Sequence, residues 1–390
     1  MPASPAIDLL RALVALDTVS SRSNRAIAEL VADRLARPGV EVRLLPGGAE
    51  GKVNLWARLG PEPAGDRSGL LLCGHLDVVP ADEPDWTSPP FALTDRGDRW
   101  VARGACDMKG FVALATELAR RIDPARLARP LCLLFTCDEE IGTLGAQHFA
   151  RAWDGAPPPR AALVGEPTSL AVVRLHKGHC KLRIELPGRP AHSGSPHLGD
   201  NAIEKAAEVV AALRALRLEW AARRPAGHAH FPEAPFVPLN VGRIAGGVAI
   251  NVVAPRAALE LGFRPLPGMT AEELQVELRA RVLAAAPDAA VTVLGDSPPL
   301  ATPENAEIHR ALLELTGQSG SRGAPYASDG GPLAALGIEA VLCGPGAIAD
   351  AHRADESVPK AELARATEIL AALAARFCGV APPPMADSVA

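Results

Sequence analysis

The fold is indicated most clearly by the stretch Leu131-Cys132-Leu133-Leu134-Phe135-Thr136-Cys137-Asp138-Glu139-Glu140. In it a strand-like run is followed closely by a pair of acidic residues. The first five residues of the stretch are an apolar run, typical of a strand buried on both faces of a sheet. A helical pattern from Gly110 to Ile122 precedes it, and the alternation of strands and helices indicates a parallel sheet with crossovers. We therefore predict an α/β domain with a mixed or parallel sheet.

Other chemistry-bearing side chains stand in the same relation to short apolar runs, where open α/β sheets place their ligand sites. His75 and Asp77 follow the apolar residues 70–72, Glu166 follows 161–164, and His352 comes after 340–342. One such residue would mean little, but the repetition predicts a single site. The predicted site consists of His75, Asp77, Asp107, Glu139, Glu140, Glu166 and His352.

Composition restricts the class of protein. The chain has 390 residues, of which 48% are hydrophobic and 22% charged, as in an ordinary globular enzyme. Its net charge is −5 without long runs of one sign, so neither nucleic acid nor a membrane surface is an expected partner. No stretch is long and apolar enough for a membrane span, and the N-terminus lacks a signal-peptide pattern, so we expect a cytoplasmic protein. The seven scattered cysteines are expected to be reduced thiols.

The length predicts two domains. Between residues 179 and 297 the apolar pattern changes to β-α-β-β-α-β, which predicts an inserted α+β, ferredoxin-like domain that acts as a lid. The α/β pattern resumes afterwards. We therefore predict a catalytic domain in two pieces, residues 1–178 and 298–390, around the insertion 179–297.

The side chains of the predicted site are the ligands that a pair of divalent cations requires. Asp77 lies two residues after His75, so its carboxylate is expected to hold the second ring nitrogen of the histidine. Asp107 is the natural bridge, because Gly104 and Gly110 allow the backbone to turn tightly. One of Glu139 and Glu140 can ligate a cation while the other takes a proton.

Each of these features also has a plainer explanation. A lone Glu-Glu pair is usually a solvated loop, and a lone His-x-Asp is more often a hydrogen-bonded pair than a metal site. Cys106 could be a ligand, although a packed thiol is the better interpretation. The combination with neighbouring glycines at 74, 104, 110 and 165 makes the plain explanation improbable for the whole set.

The motifs Gly74-His75-Leu76-Asp77, Asp107-Met108-Lys109-Gly110, Asp138-Glu139-Glu140 and Gly165-Glu166-Pro167-Thr168 occur in the order typical of one family. The chain resembles the dinuclear zinc deacylases of the acetylornithine deacetylase and succinyl-diaminopimelate desuccinylase family over nearly its whole length. This resemblance implies that His75 and Glu166 hold one metal, that Glu140 and His352 hold the other, and that Asp107 bridges them. It also implies that Glu139 is the general base, and the cis peptide that is frequent in the family after the bridging aspartate would here be Asp107-Met108. Asp77 is expected to support catalysis through its contact with His75.

The resemblance extends to the inserted domain. It implies a homodimer formed through a sheet edge of this domain, with His192 reaching the partner's active site to stabilise the oxyanion. Asn251 and Arg264 would contact the substrate carboxylate, since a guanidinium suits that bidentate task. Gly344, in Gly344-Pro345-Gly346, would belong to the substrate pocket. The segment 264–270 and the residues after Glu166 look most like acetylornithine deacetylase.

One stretch departs from the acetylornithine deacetylase pattern. Ser328-Asp329-Gly330 replaces the usual Thr-Glu-Ala and is closer to the desuccinylase branch. Asp329 could recognise the ornithine ammonium, or it could simply cap the turn that follows it. The acyl or amine pocket could therefore differ from that of acetylornithine deacetylases.

The leading hypothesis from the resemblance is hydrolysis of N2-acetyl-L-ornithine to L-ornithine and acetate in arginine biosynthesis, with two zinc ions, or cobalt in their place. The alternatives are a deacylase of another N-acyl amino acid, such as succinyl-diaminopimelate or acetylcitrulline, and a metallo-aminopeptidase. A metal or amino-acid binding module without catalysis is the alternative from a different class, and the extra carboxylate of Glu139 argues against it.

Overall fold

The computed structural model describes residues 4–63 and 65–379, so the outermost residues of the predicted catalytic domain, 1–3 and 380–390, lie outside the described residues. The described strands in chain order are β1 Val40–Pro46, β2 Val53–Leu59, β3 Leu70–His75, β4 Thr94–Asp95, β5 Arg99–Val101, β6 Leu131–Thr136, β7 Ala161–Pro167, β8 Val173–His176, β9 His179–Pro187, β10 Leu239–Gly246, β11 Arg256–Phe263, β12 Ala290–Ser297, β13 Leu300–Ala301, β14 Arg322–Ala324, β15 Glu339–Gly344 and β16 Ser357–Pro359. The α-helices are α1 Pro5–Val14, α2 Arg25–Leu35, α3 Gly110–Arg121, α4 Leu144–Ala152, α5 Ala202–Ala222, α6 Ala271–Ala285, α7 Glu307–Thr316, α8 Gly330–Ala334 and α9 Lys360–Cys378.

The described chain divides into two compact units. One contains the described residues up to Arg174, Thr302–Arg322 and those from Ser328 onward, and the other contains Leu175–Ala301 and Gly323–Ala327. The second unit begins four residues before the predicted insertion 179–297 and ends four residues after it, with a short added segment. That these units are a catalytic domain and an inserted lid stays a prediction.

The sheet of the first unit carries the strand order β1-β2-β6-β3-β7-β15. The pairs β6–β3, β3–β7 and β7–β15 are parallel, whereas β1–β2 and β2–β6 are antiparallel. The helix α3 lies between β3 and β6 in the chain, as a parallel crossover requires. The predicted α/β class with a mixed sheet is therefore confirmed.

The central strands are buried on both faces, which explains why their sequences are continuous apolar runs rather than alternating ones. Leu70 and Leu72 of β3 belong to a core that also contains side chains of α1, α2, α3 and α9. Leu71 is equally buried but points to the opposite face. On that second face Trp56 of β2 stacks against Phe149 of α4, with ring centroids 5.8 Å apart.

The second unit has the order β9-α5-β10-β11-α6-β12 along the chain, the predicted β-α-β-β-α-β pattern. Its strands form one antiparallel sheet in the order β10-β11-β9-β12. Alternate residues of β9, such as Leu182 and Ile184, are buried with Leu213 of α5 and Leu278 of α6 in a separate core. The strand β10 lies at one edge of this sheet.

All seven cysteines are buried and none forms a disulfide, as the sequence predicted. Among the described helices, none combines the length and the apolar composition that a bilayer crossing needs.

Candidate metal centre

The predicted ligands meet at the carboxyl edge of the parallel strands. His75 is the last residue of β3, and it is in register with Thr136, the last residue of β6. Glu166 is the penultimate residue of β7. Because carboxyl ends of neighbouring parallel strands share one edge, their side chains converge although they are far apart in the chain.

The first ligand group consists of His75, Asp107 and Glu166, each offering one atom within 4.8 Å of the others. Nε2 of His75 lies 2.9 Å from Oδ1 of Asp107. All three residues are buried. The group thus provides one imidazole and two carboxylates that solvent does not reach.

The second ligand group consists of Asp107, Glu140 and His352, again within 4.8 Å. Nε2 of His352 lies 3.2 Å from Oδ2 of Asp107 and 2.9 Å from Oε2 of Glu140. Asp107 therefore belongs to both groups and turns one carboxylate oxygen toward each histidine. This is the arrangement expected of a carboxylate that bridges two cations.

These residues fit a pair of divalent cations. Imidazole and carboxylate are the ligands of zinc and of similar ions in hydrolases. Moreover, Oε1 of Glu140 and Oε1 of Glu166 are buried without a hydrogen-bond partner. A buried carboxylate oxygen without a donor is costly, and a cation is the partner that both oxygens lack.

The electrostatics of the group also favour cations. Burial raises the pKa of Glu140 to about 7, and the nearby Asp107 carboxylate adds to this shift. Hydrogen bonds to Asp107 and Glu140 raise the pKa of His352 to about 10. Burial would raise the pKa of Asp107, but its hydrogen bonds to the two histidines lower it well below its ordinary value. Without cations, protons on the two histidines and on Glu140 therefore offset the negative charge of the clustered carboxylates.

The pKa values of two further carboxylates, those of Glu139 and Glu166, are also raised by burial. Burial raises the pKa of Glu139 well above its ordinary value, and the charge of Glu166 raises it further. Burial also raises the pKa of Glu166, with Asp107 as the next cause. Bound cations would replace the protons and allow these carboxylates to ionise.

Cation binding is therefore expected to release protons. At pH 7 His352 carries a proton and Glu140 is about half protonated, whereas both must be deprotonated to bind a cation. The apparent affinity for Zn²⁺ should fall by about tenfold or more per pH unit between pH 8 and pH 6. Calorimetric titration in two buffers with different heats of ionisation measures the protons released, and Glu140→Gln should release fewer. Equal heats in both buffers at pH 7 would contradict the expectation.

Asp77 supports the site in a different way from the predicted one. Nδ1 of His75 lies 2.9 Å from the backbone oxygen of Asp77, whereas Oδ1 of the Asp77 carboxylate is 3.8 Å away. The carbonyl, rather than the carboxylate, thus accepts from the ring and leaves Nε2 free for a cation. The carboxylate instead accepts the backbone N–H groups of Glu139, at 3.1 Å, and Glu140, at 3.3 Å. Asp77 therefore orients the acidic pair as well as His75.

Two polar residues that the sequence did not indicate complete this support. The hydroxyl of Ser20 donates to Oδ2 of Asp77 at 2.6 Å. Nζ of Lys52 donates to the backbone oxygen of Ser20 at 2.6 Å and also pairs with Asp138. Both come from segments without a motif, so no local pattern could have indicated them.

The turn that carries Asp107 is irregular. Gly104 has φ = 81°, in the left-handed region that glycine adopts without strain, as the predicted tight turn requires. The Asp107-Met108 peptide is cis, as the family resemblance implies. The thiol of Cys106 is buried and lies 3.5 Å from the backbone oxygen of Ala347. Cys106 belongs to neither ligand group, which agrees with a packed thiol.

Asp329 neither caps its turn nor projects into solvent. Its side chain makes no cap to α8, and the turn is closed by the Ser328 hydroxyl, which accepts the N–H of Gly330 at 3.2 Å. The carboxylate is buried and accepts the hydroxyl of Thr136 at 2.5 Å through Oδ2, while Oδ1 has no partner. Burial raises the pKa of Asp329 to about 6. A contact with the substrate ammonium stays a proposal.

Gly344 was predicted to contact substrate, but its contacts in the structure are with neighbouring backbone and with Thr168. Its N–H donates to the Thr168 hydroxyl at 3.2 Å, and its carbonyl accepts from Leu170 at 2.9 Å. A Cβ at this position would lie 2.2 Å from the backbone oxygen of Gly165. Gly344 thus allows β15 to lie against the strand that carries Glu166, and its own amide is already paired.

The remaining predicted residues lie in the second unit. His192 is exposed, and its Nδ1 accepts the N–H of Gly194 at 3.0 Å, so the ring hydrogen is on Nε2. The N–H of Ser193 donates to the backbone oxygen of Asn251 at 2.9 Å, which places His192 and Asn251 on adjacent segments. Arg264 directly follows β11, and partial burial lowers the pKa of its guanidinium.

The chain matches the family model described as peptidase family M20/M25/M40 over residues 71–376. An acetylornithine deacetylase of Pectobacterium atrosepticum is 34% identical over 389 residues, which cover 96% of this chain and 98% of that protein. An acetylornithine deacetylase of Proteus mirabilis is 36% identical over 386 residues, which cover 95% and 96%.

Solved structures show the same fold. An M20 family metallo-carboxypeptidase from Sulfolobus solfataricus superimposes with a TM-score of 0.77 at 18% identity, covering 94% of this chain and 98% of that one. A Bacillus subtilis protein described as a dinuclear metal-binding peptidase of the M20 family superimposes with a TM-score of 0.66 at 15% identity, covering 96% and 98%.

Proposed function

The chain belongs to peptidase family M20/M25/M40 and is a metal-dependent amidohydrolase, and we propose that it removes the acetyl group from N2-acetyl-L-ornithine to give L-ornithine and acetate. The substrate is supported by relatives that carry the name acetylornithine deacetylase and align over nearly the full length of both chains. This reaction would belong to arginine biosynthesis, and we expect it to take place in the cytoplasm.

One observation carries the hydrolytic mechanism. Asp107 turns one oxygen toward each of two ligand groups, while Glu139 lies beside them without belonging to either. A site that only bound a cation would not need this additional carboxylate. A binding module without catalysis is therefore disfavoured, in agreement with the family.

We propose that His75 and Glu166 hold one cation, that Glu140 and His352 hold the other, and that Asp107 bridges them. Zinc fits this set of ligands, and cobalt is the alternative. When bound, the two cations would polarise the substrate carbonyl and lower the pKa of water.

The chain's own groups then move the proton and orient the reactants. The carboxylate of Glu139 takes a proton from the attacking water and passes it to the leaving amine. The carboxylate of Asp77 accepts the backbone N–H of Glu139 and so holds Glu139 in position. The Nε2–H of His192 would donate to the developing oxyanion. Arg264 and Asn251 of the second unit would bind the substrate carboxylate, and Asp329 of the first unit would contact the amine end.

We further propose that the protein is a homodimer in which each His192 serves the active site of the partner. The proposal is supported by the edge strand β10, where Ile244 is exposed, and by the turn after it, where Val248 and Ile250 are also exposed. An open sheet edge with exposed apolar side chains is a surface that pairing with a second copy would cover.

A panel of substrates tests the proposed specificity. The zinc- and cobalt-loaded protein should show kcat/KM for N2-acetyl-L-ornithine about 10²-fold above that for acetylcitrulline, whose neutral side chain would leave the carboxylate of Asp329 unpaired. Loss of the amide bond is the measurement, and chelator-treated protein is the control.

Each alternative has its own result in the same panel. Preference for succinyl-diaminopimelate would contradict the acetylornithine assignment, and the Ser328-Asp329-Gly330 stretch makes this the second candidate. Cleavage of dipeptides without any deacylation would indicate an aminopeptidase instead.

A further inference from the structure

The loop that carries His352 contains another acidic pair, Asp355 and Glu356, whose side chains bind different parts of the first unit. Asp355 accepts the N–H of Thr87 at 3.0 Å and its hydroxyl at 2.6 Å. The side chain of Glu356 is buried and accepts the N–H of Cys106 at 2.9 Å and the N–H of Asp107 at 3.0 Å, both through Oε1. Glu356 thus contacts the backbone of the bridging residue directly.

The other oxygen of Glu356 is neutralised by a fully buried arginine. Nη1 of Arg103 donates to Oε2 of Glu356 at 2.8 Å, and Nη2 donates to Glu83 at 2.7 Å. The guanidinium also lies 5.2 Å from the ring centroid of Trp86. Burying a carboxylate is costly unless the charge is paired, so the ion pair with Arg103 stabilises this orientation of Glu356.

The position of the His352 side chain is not fixed by a helix or strand of its own. This residue lies in the loop between β15 and β16, has φ = 58° and a side chain that is 48% exposed. The cation that it would bind needs Asp107 and Glu140 at fixed positions, since ligand geometry around a divalent ion tolerates little displacement. The carboxylate of Glu356, four residues after His352, is a link from this loop to the Asp107 backbone.

We propose that Glu356 is a positioning residue of the metal centre, which holds the backbone of Asp107 in register with the His352 loop and so completes the second cation site. This inference rests on the proposed dinuclear centre. Glu356 belongs to neither ligand group, and it acts through the two N–H groups that it accepts and through its pair with Arg103.

The variant Glu356→Gln tests the proposal by cation binding rather than by turnover. Glutamine has one acceptor oxygen, so its amide group would meet either Arg103 or the N–H groups of Cys106 and Asp107 with donors of its own. Chelator-stripped protein is titrated with Co²⁺ and followed by calorimetry and by the visible absorption of the ion. We expect one of the two equivalents to bind about 10- to 100-fold more weakly than in the unmodified protein.

Glu117→Gln is the matched control. Glu117 is a buried carboxylate of the same unit, held by Arg34 at 2.8 Å and by Arg120 at 2.7 Å, and it belongs to no ligand group. This variant weakens the arginine pairs of a buried carboxylate, although Arg34 and Arg120 are themselves 40% exposed, and it should bind both equivalents normally. A merely structural loss would lower the thermal midpoint of both variants but would weaken no single cation site.

Glu356→Asp is a second variant that tests the same proposal if the glutamine variant does not fold. It keeps the negative charge beside Arg103 but is shorter by one methylene, so it cannot reach both Arg103 and the Asp107 backbone. If both variants bind two cations with unchanged affinity, the role of Glu356 is refuted while the metal centre stands. If the unmodified protein itself fails to bind two cations, the proposed centre fails and the inference fails with it.

Discussion

Replacing Glu139 by glutamine is expected to lower kcat by at least ~10²-fold while both cations remain bound. Glutamine preserves the shape of the side chain but cannot carry the proton from water to the leaving amine. Glu139 belongs to neither ligand group, so the cation content should not change. Turnover of N2-acetyl-L-ornithine and the metal content of the same zinc-loaded sample are the measurements.

The neighbouring residue provides the matched control. Glu140→Gln changes the same kind of side chain one position later, but Glu140 contacts His352 and belongs to the second ligand group. This variant should lose cation affinity as well as turnover. Near-normal turnover of metal-loaded Glu139→Gln would refute the assignment of the general base.

The same variant tests the proposed exchange of His192 between subunits. Glu139→Gln and His192→Ala should each be nearly inactive alone. If His192 acts on the partner's site, a mixed dimer contains one complete site, and equal mixing with free subunit exchange restores about a quarter of the normal activity. If His192 acts within its own chain, or if the chain is monomeric, mixing restores nothing.

Replacing Asp107 by asparagine is expected to reduce the bound cations from two to at most one per chain and to lower turnover by at least ~10²-fold. Asp107 is the residue that the two ligand groups share, with Oδ1 toward His75 and Oδ2 toward His352. Asparagine keeps one acceptor oxygen and turns an NH₂ group toward the other cation, so it cannot bridge. Metal analysis after dialysis, with a parallel assay of turnover, checks both parts.

Asp154→Asn is a suitable control for this change, because Asp154 is an exposed aspartate paired with Arg43. It should keep both cations and normal turnover. If Asp107→Asn also retains two cations with unchanged affinity, the bridging role is wrong.

Much of the fold could be predicted from the sequence because it follows from local patterns. The apolar run before Glu139 and the helical pattern of α3 indicate a buried parallel strand and its crossover. Several residues of the candidate site could also be predicted, since His75, Glu166 and the Glu139–Glu140 pair each follow such a strand. Parallel strands bring these ends to one edge whatever the separation along the chain.

Contacts between distant segments could not be predicted in this way. The rule that i and i+2 side chains share a side suggested that the carboxylate of Asp77 holds His75, but the carbonyl does so instead. The carboxylate is occupied by the backbone of Glu139 and Glu140, which only tertiary folding brings near. The role of Gly344 could not be predicted for the same reason. A side chain at this position would collide with the backbone of Gly165, which lies on a neighbouring strand.

The sequence by itself determined the α/β class and predicted the candidate ligands, because hydrophobic periodicity and residue type are local properties. The tertiary structure alone decided how each ligand is held: which oxygen of Asp107 faces which histidine, and how Ser20 supports Asp77. It also decided that Glu356 holds the Asp107 backbone. Hydrogen bonds depend on distances of a few tenths of an ångström between segments, and such distances result from the packing of the whole first unit.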